Sequence, residues 1–158
     1  MAFIYESQNF VVEAVDKPHV ARTDGGHVRI FPKVRVSDRT KLLPILAVEL
    51  ARLTSLVGEA MEIAMNKQGV DVGRINYQDM GNWTVNDPLG PYLHVHIYGR
   101  ARSATHQPWG ESLYLPQRSS GFYDSFEPLN SDDVREIHSE IVRLLKTDKY
   151  QDEVWKLV

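Results

Sequence analysis

The sequence predicts an α+β fold in which helices cover one face of a mostly antiparallel sheet. Three observations carry that prediction. Segments of strand and helix character follow one another in the order strand, strand, helix, strand, strand, helix. The longer helix has an apolar face along its whole length, which needs a flat partner such as a sheet. The clearest strand sets aliphatic residues on one face and polar or aromatic residues on the other. With 158 residues, 42% hydrophobic and 25% charged, the chain is expected to form one globular domain over residues 1–158.

The first strand is Asn9 to Ala14, short and β-rich. Asp16-Lys17-Pro18-His19 and Asp24-Gly25-Gly26 supply turn chemistry. His27 to Lys33 is the next strand, with Val28 and Ile30 on one face and His27, Arg29 and Phe31 on the other. It leaves a turn directly, so a hairpin with its predecessor is expected. Pro44 opens a helix where proline is tolerated. Ile45, Val48, Leu53, Val57, Ala60, Met61 and Ala64 recur at helical spacing, and Gly69 fits the far end as a cap. The helix runs from about Pro44 to Lys67, roughly 35 Å at 1.5 Å per residue. Gly73 to Asp79 is a strand, Met80 to Pro91 a loop, and Tyr92 to Arg100 the clearest strand. Ser103 to Asn130 is a long irregular stretch, either a functional cover or partly disordered. Ser131 with Asp132 and Asp133 starts the last helix, whose stripe is Val134, Ile137, Ile141 and Leu144. On it, His138 reads as a solvated surface residue. Val154, Trp155 and Val158 are expected to dock on the body or on a partner copy.

Composition excludes several chemistries. The chain has no cysteine, which removes disulfides, thiolate metal sites and a cysteine nucleophile and turns attention to its six histidines. Lys+Arg 18 against Asp+Glu 21 gives a net charge of −3, which argues against a nucleic-acid partner. Met1 to Phe10 lacks the basic cluster and apolar run of a signal peptide, and no apolar run approaches the roughly 18 residues of a membrane span. The expected setting is cytoplasmic, with no membrane partner.

The informative segment is Tyr92 to Arg100. Leu93, Val95 and Ile97 face the helices, so Tyr92, His94, His96 and Tyr98 line up on the opposite face. Three readings fit His94 and His96: surface residues, a pair of metal ligands, or a catalytic pair. Imidazole ligates zinc, copper or iron, but a metal needs further ligands, and Arg100, Ala101 and Arg102 follow instead of a carboxylate. A neutral imidazole is a good nucleophile toward phosphorus near pH 7, and a second imidazole with a nearby arginine suits a phosphoryl oxygen.

Two stretches resemble the histidine triad (HIT) family. Tyr92-Leu93-His94-Val95-His96-Ile97-Tyr98-Gly99-Arg100 is similar to its motif of three histidines alternating with apolar residues, followed by a small and a basic residue, with Tyr in place of the first histidine. Gly26-His27-Val28-Arg29-Ile30-Phe31-Pro32-Lys33 resembles the family's upstream strand, and a strand with Ile75-Asn76-Tyr77 follows the helix. The resemblance covers about residues 9–102; residues 103–158, a long loop and the C-terminal helix, lie outside it.

The resemblance implies an antiparallel sheet of about five strands with two helices, paired as a homodimer. It implies a nucleotide phosphohydrolase or nucleotidyl transferase acting at the α-phosphate of a dinucleoside polyphosphate or nucleoside phosphoramidate. His94 would form a nucleotidyl-histidine intermediate and His96 would hold a phosphoryl oxygen. His27, Asn76, Tyr92 and Arg100 would serve substrate binding. No protein-bound metal or cofactor is implied, which leaves room for a divalent metal arriving with the substrate. Two departures point to an alternative, a catalytically weak or inactive nucleotide-binding module. Tyr92 replaces a histidine, and Asn86 to Pro91 contains neither the Gln nor the Ser that the family uses for the leaving group, with Asn82 and Asn86 left as unplaced candidates for that role. His19 lies about where the family contacts ribose and reads as a loop histidine, with Asp16 and Glu13 as alternatives for the ribose. His106 and Trp109 either anchor the long loop or stack on a base.

Overall fold

The computed structural model describes residues 2–84 and 86–158; Met1, in the N-terminal stretch, and Val85, in the loop expected from Met80 to Pro91, lie outside the described residues. Among the described residues, five strands and two long helices form the body: β1 (Ala2–Glu6), β2 (Phe10–Ala14), β3 (His27–Pro32), α1 (Pro44–Lys67), β4 (Val72–Gln78), β5 (Val95–Ala101) and α2 (Ser131–Leu144). The strands form one antiparallel sheet in the order β1-β2-β3-β5-β4, so β5 inserts between β3 and β4, and β2, β3 and β5 are the inner strands.

The helices pack on one face. Val28, Ile30, Val95, Ile97 and Ala101 from the sheet join Leu53, Val57, Met61, Ala64, Ile137 and Ile141 from the helices in one buried cluster. The expectation for α1 is met residue for residue, with Pro44 in its first turn and Gly69 at φ 82° just past its end. The start of α2 is sharper than Ser131 alone suggests. Asn130 accepts from the backbone N–H groups of Asp132 and Asp133, and Asp133 accepts in return from the backbone N–H of Asn130, which closes a capping box.

Two expectations are corrected. Ala2–Glu6 is a strand on the sheet edge; five residues at a chain end, paired with β2, carry too little pattern to be read locally. The motif strand begins at Val95, not Tyr92, because the residues ahead of it find other partners: the Leu93 N–H bonds the carbonyl of Val36 at 2.7 Å. His138 is exposed, as expected of a surface residue, and also makes one contact to the body. Its Nδ1–H donates to the carbonyl of Ile4 at 2.7 Å and so ties α2 to β1. At the C-terminal end, Trp155 packs against the core and donates to the carbonyl of Lys149 at 2.8 Å, whereas Val154 and Val158 stay exposed. Among the described residues, no helix is long and apolar enough to cross a membrane.

One close approach locks the centre of the sheet. The N–H of Gly99 bonds the carbonyl of Gly26 at 3.1 Å, and a Cβ on Gly99 would lie 2.2 Å from the carbonyl oxygen of Gly25. Gly25 has φ 129°, which only glycine adopts without strain. This junction places His27 opposite Tyr98 and Arg29 opposite His96 in the β3–β5 ladder.

Candidate functional site

The sheet face turned away from the helices is covered, not solvated. Residues 103–130 fold across it and are tied down by two buried polar side chains. Asp24, 1% exposed, accepts from the backbone N–H groups of Thr105, His106 and Gln107. Gln107, also 1% exposed, donates to the carbonyls of His19 and Tyr114 and accepts from the N–H of Tyr114. The long stretch is thus an ordered cover. A cleft of about 430 Å³ remains between the cover, the loop ahead of the motif and the strand face, a volume suited to a small ligand.

Four histidines line this cleft: His19, His27, His94 and His96. Their ring bonds form a directed chain. The backbone N–H of His19 donates to Nδ1 of His27 at 3.1 Å, and a backbone N–H can only donate. Neutral His27 therefore carries its proton on Nε2, which bonds Nδ1 of His96 at 2.8 Å. His96 in turn carries its proton on Nε2 and offers a donor. His94 is set the other way. Its Nδ1 lies 2.7 Å from the carbonyl of Tyr92, which can only accept, so Nδ1 holds the proton and Nε2 keeps its lone pair. The two rings meet edge to face with centroids 4.6 Å apart. One presents a lone pair and its neighbour an N–H.

Electrostatics keep the buried rings neutral. Burial pulls His96 down to about 2, helped by the charges of His94, His19, Arg29 and Arg118. Burial pulls His19 down to about 4, helped by Arg118 and His94. His27 lies well below its ordinary value, first by burial and then by His96 and His19. The buried Tyr98 hydroxyl is held well above its ordinary value by desolvation and is hydrogen-bonded to Nδ1 of His19 at 2.8 Å. The cations at the cleft are Arg29 and Arg118, and among its described lining residues there is no carboxylate.

Of the sequence candidates, the fold brings His27, His94 and His96 together here. It does not bring Asn76, Arg100 or the phenol of Tyr92. Arg100 donates to Asn76 and to the carbonyls of Pro108 and Glu111, holding the cover from the far end of β5. The Tyr92 hydroxyl donates to the carbonyl of Pro32, with Arg35 over its ring at 4.8 Å. His19 is not an ordinary loop residue: it is 5% exposed and stacks on His27 with centroids 5.0 Å apart. Trp109 is 44% exposed beside Arg102 and away from the cleft, whereas Trp83 meets His19 edge-on at 5.5 Å. His106 anchors the cover on Phe126, 4.8 Å between centroids. Sequence reasoning missed His19, Trp83 and Arg118, because only the folded loops carry them to the strand face.

A metal could draw on His19, His27 and His96, whose nearest ring nitrogens lie within 4.8 Å of one another. Both ring nitrogens of His27 are already bonded within the protein, so ligation there would break the chain that orients His96.

The same arrangement of strands and helices occurs in solved structures. A hypothetical histidine triad nucleotide-binding protein from Sulfolobus tokodaii strain7 superposes with a TM-score of 0.61 at 17% identity, covering 93% of this chain and 87% of that one. A histidine triad protein from Sinorhizobium meliloti 1021 gives 0.62 at 17% identity over 90% and 87% of the two chains. The chain has the histidine triad fold. A zinc-bound histidine triad family protein from Mycobacterium smegmatis shares that fold, with a TM-score of 0.58 at 16% identity over 90% of this chain and 84% of that one. No family model and no curated protein matches the sequence. The histidine triad fold extends past the two sequence motifs, since these superpositions take in most of residues 103–158 as well as the motif-bearing part.

Proposed function

We propose that the protein is a nucleotide phosphohydrolase or nucleotidyl transferase acting at the α-phosphate of a dinucleoside polyphosphate or nucleoside phosphoramidate. The observation that carries this reading is the opposed tautomers of His94 and His96 at one cleft whose described lining residues include no carboxylate. The Nε2 lone pair of His94 attacks phosphorus as the bond to the leaving oxygen or nitrogen breaks. The Nε2–H of His96, itself buried, bonds a phosphoryl oxygen as charge builds there. Water then attacks the nucleotidyl-histidine, returning the nucleoside monophosphate and His94. Asn82 and Thr84 stand at the cleft wall as polar groups of the loop ahead of the motif, where the leaving group would depart. Both ring nitrogens of His27 are used in orienting His96, which supports a reaction without a resident metal.

The test is release of AMP from adenosine 5′-phosphoramidate and diadenosine tetraphosphate. Wild type releases AMP, and His94→Ala does not. A wild-type protein inert across pH 6 to 8 refutes the reading. One observation favours a second reading, a nucleotide-binding module with weak catalysis: the Tyr92 phenol is committed to the Pro32 carbonyl and offers nothing to the cleft. In that case calorimetry shows AMP binding while turnover stays at background.

We also infer a homodimer, on the support of sheet edges β1 and β4, each with a described strand neighbour on one side alone, and of Tyr77, 48% exposed on β4. A monomer by light scattering at high concentration refutes it. A cytoplasmic setting fits the same chemistry, since nucleotides are intracellular substrates.

A further inference from the structure

The cover contributes charge as well as shape. Arg118 sits in a short 3-10 turn, Arg118–Ser120, and lines the same cleft as His94 and His96. Its guanidinium lies over the ring of Tyr123 at 4.9 Å. That ring is itself fixed: Tyr123 is 6% exposed and its hydroxyl donates to the carbonyl of Pro116 at 2.9 Å. One Arg118 N–H donates to the carbonyl of Lys17 at 2.7 Å, which spans from the cover to the β2–β3 connection. A guanidinium has five N–H donors, so most remain for a ligand.

The charge balance singles this residue out. Arg29 forms an ion pair with Glu13, whereas among the described residues no carboxylate pairs with Arg118. The histidines below it are held neutral, by burial first and by this cation among others. The cleft therefore has one oriented donor set for the reacting phosphate, at His96, and a separate, uncompensated planar cation on the cover.

We propose that Arg118 is a second anion-binding position, which makes the cleft selective for nucleotides whose α-phosphate carries further phosphate, that is phosphoanhydrides rather than phosphoramidates. A guanidinium pairs bidentately with a phosphate, and stacking on Tyr123 orders it before the ligand arrives. This inference rests on the nucleotide reading above and selects between its two substrate classes. It also gives residues 103–130 a function that the sequence motifs do not contain.

Binding tests it without relying on turnover. Calorimetry compares AMP with α,β-methylene-ADP, which adds one phosphate and resists cleavage. Wild type is expected to bind the diphosphate about tenfold more tightly, the scale of one exposed charged contact. In Arg118→Gln that ratio falls toward one. Arg118→Lys keeps part of it, and Arg135→Gln, which removes an equal charge from α2, leaves it unchanged. The preference should also weaken with added salt. A ratio unchanged in Arg118→Gln, or equal affinities for the two nucleotides in wild type, overturns the role of Arg118 while nucleotide binding stands. Wild-type protein that binds neither ligand overturns the nucleotide reading and this inference together.

Discussion

Gly99→Ala tests whether the β3–β5 junction sets the site. The new Cβ would stand 2.2 Å from the carbonyl oxygen of Gly25 and 2.7 Å from its carbon, about 1 Å inside ordinary contact on fixed backbone. Relief requires the strand and the turn to part, which breaks the 3.1 Å bond from the Gly99 N–H to the carbonyl of Gly26. That bond contributes about 1 kcal/mol, and overpacking a well-filled site costs about 1–3 kcal/mol, giving a loss of about 2–4 kcal/mol. For a chain of this size the melting temperature should fall by about 4–16 °C. The displacement passes to His27, two residues from Gly25 and 2.8 Å from His96, and a misplacement of about 1 Å there should lower kcat/KM about 100-fold. Gly69→Ala is the matched control. Gly69 has φ 82°, and a Cβ added there would meet nothing within 4 Å, so that substitution adds backbone strain of about 1 kcal/mol far from the cleft. Thermal unfolding by circular dichroism and AMP release are measured on both variants. Gly99→Ala with wild-type stability and wild-type turnover would mean that the junction does not position the site.

Three further outcomes are expected. His27→Phe leaves the His19 N–H and His96 Nδ1 unpaired in a buried place, at about 1–3 kcal/mol each, whereas His27→Gln keeps an amide donor toward His96 and should lose less; denaturant titration of both variants checks the order. Stability should fall as the pH drops below 6.5 toward 4: His19, His27 and His96 have folded values below their unfolded one, so the unfolded chain binds more protons in that window, and three such histidines give a slope of about 4 kcal/mol per pH unit, read by denaturant titrations at stepped pH. Asp24→Ala removes the acceptor of three backbone N–H groups under the cover, so limited proteolysis should cut within residues 103–130 faster than in wild type, and unchanged cleavage there would show that the cover is held by other contacts.

The helices and the inner strands are legible in the chain because their signals are local. Pro44, the apolar stripe of α1 and Gly69 specify a helix without reference to anything distant, and the alternation from Leu93 to Tyr98 specifies a two-faced strand. The edge strand β1 is not legible, since it is held by pairing with β2 and its five residues carry no pattern of their own. The histidine pair is legible for the same reason as its strand: alternation puts His94 and His96 on one face. Arg100 shows the limit of that logic. It belongs to the same face, but it lies four residues further along a strand that leaves the cleft, and its donors go to Asn76 and to carbonyls of the cover.

Sequence alone determined the fold class, the order of the elements from β2 onward and the strand that carries the histidine pair, because these follow from side-chain periodicity along single segments. Tertiary structure alone decided which nitrogen of each histidine holds the proton, since that depends on the His19 N–H and the Tyr92 carbonyl reaching particular rings. It also decided that His19 and Arg118 belong to the cleft and that Tyr92 and Arg100 turn elsewhere. Those outcomes are set by long loops whose paths are fixed by distant buried anchors, Asp24 and Gln107, and by the contact of Gly25 with Gly99, none of which leaves a periodic mark in the chain.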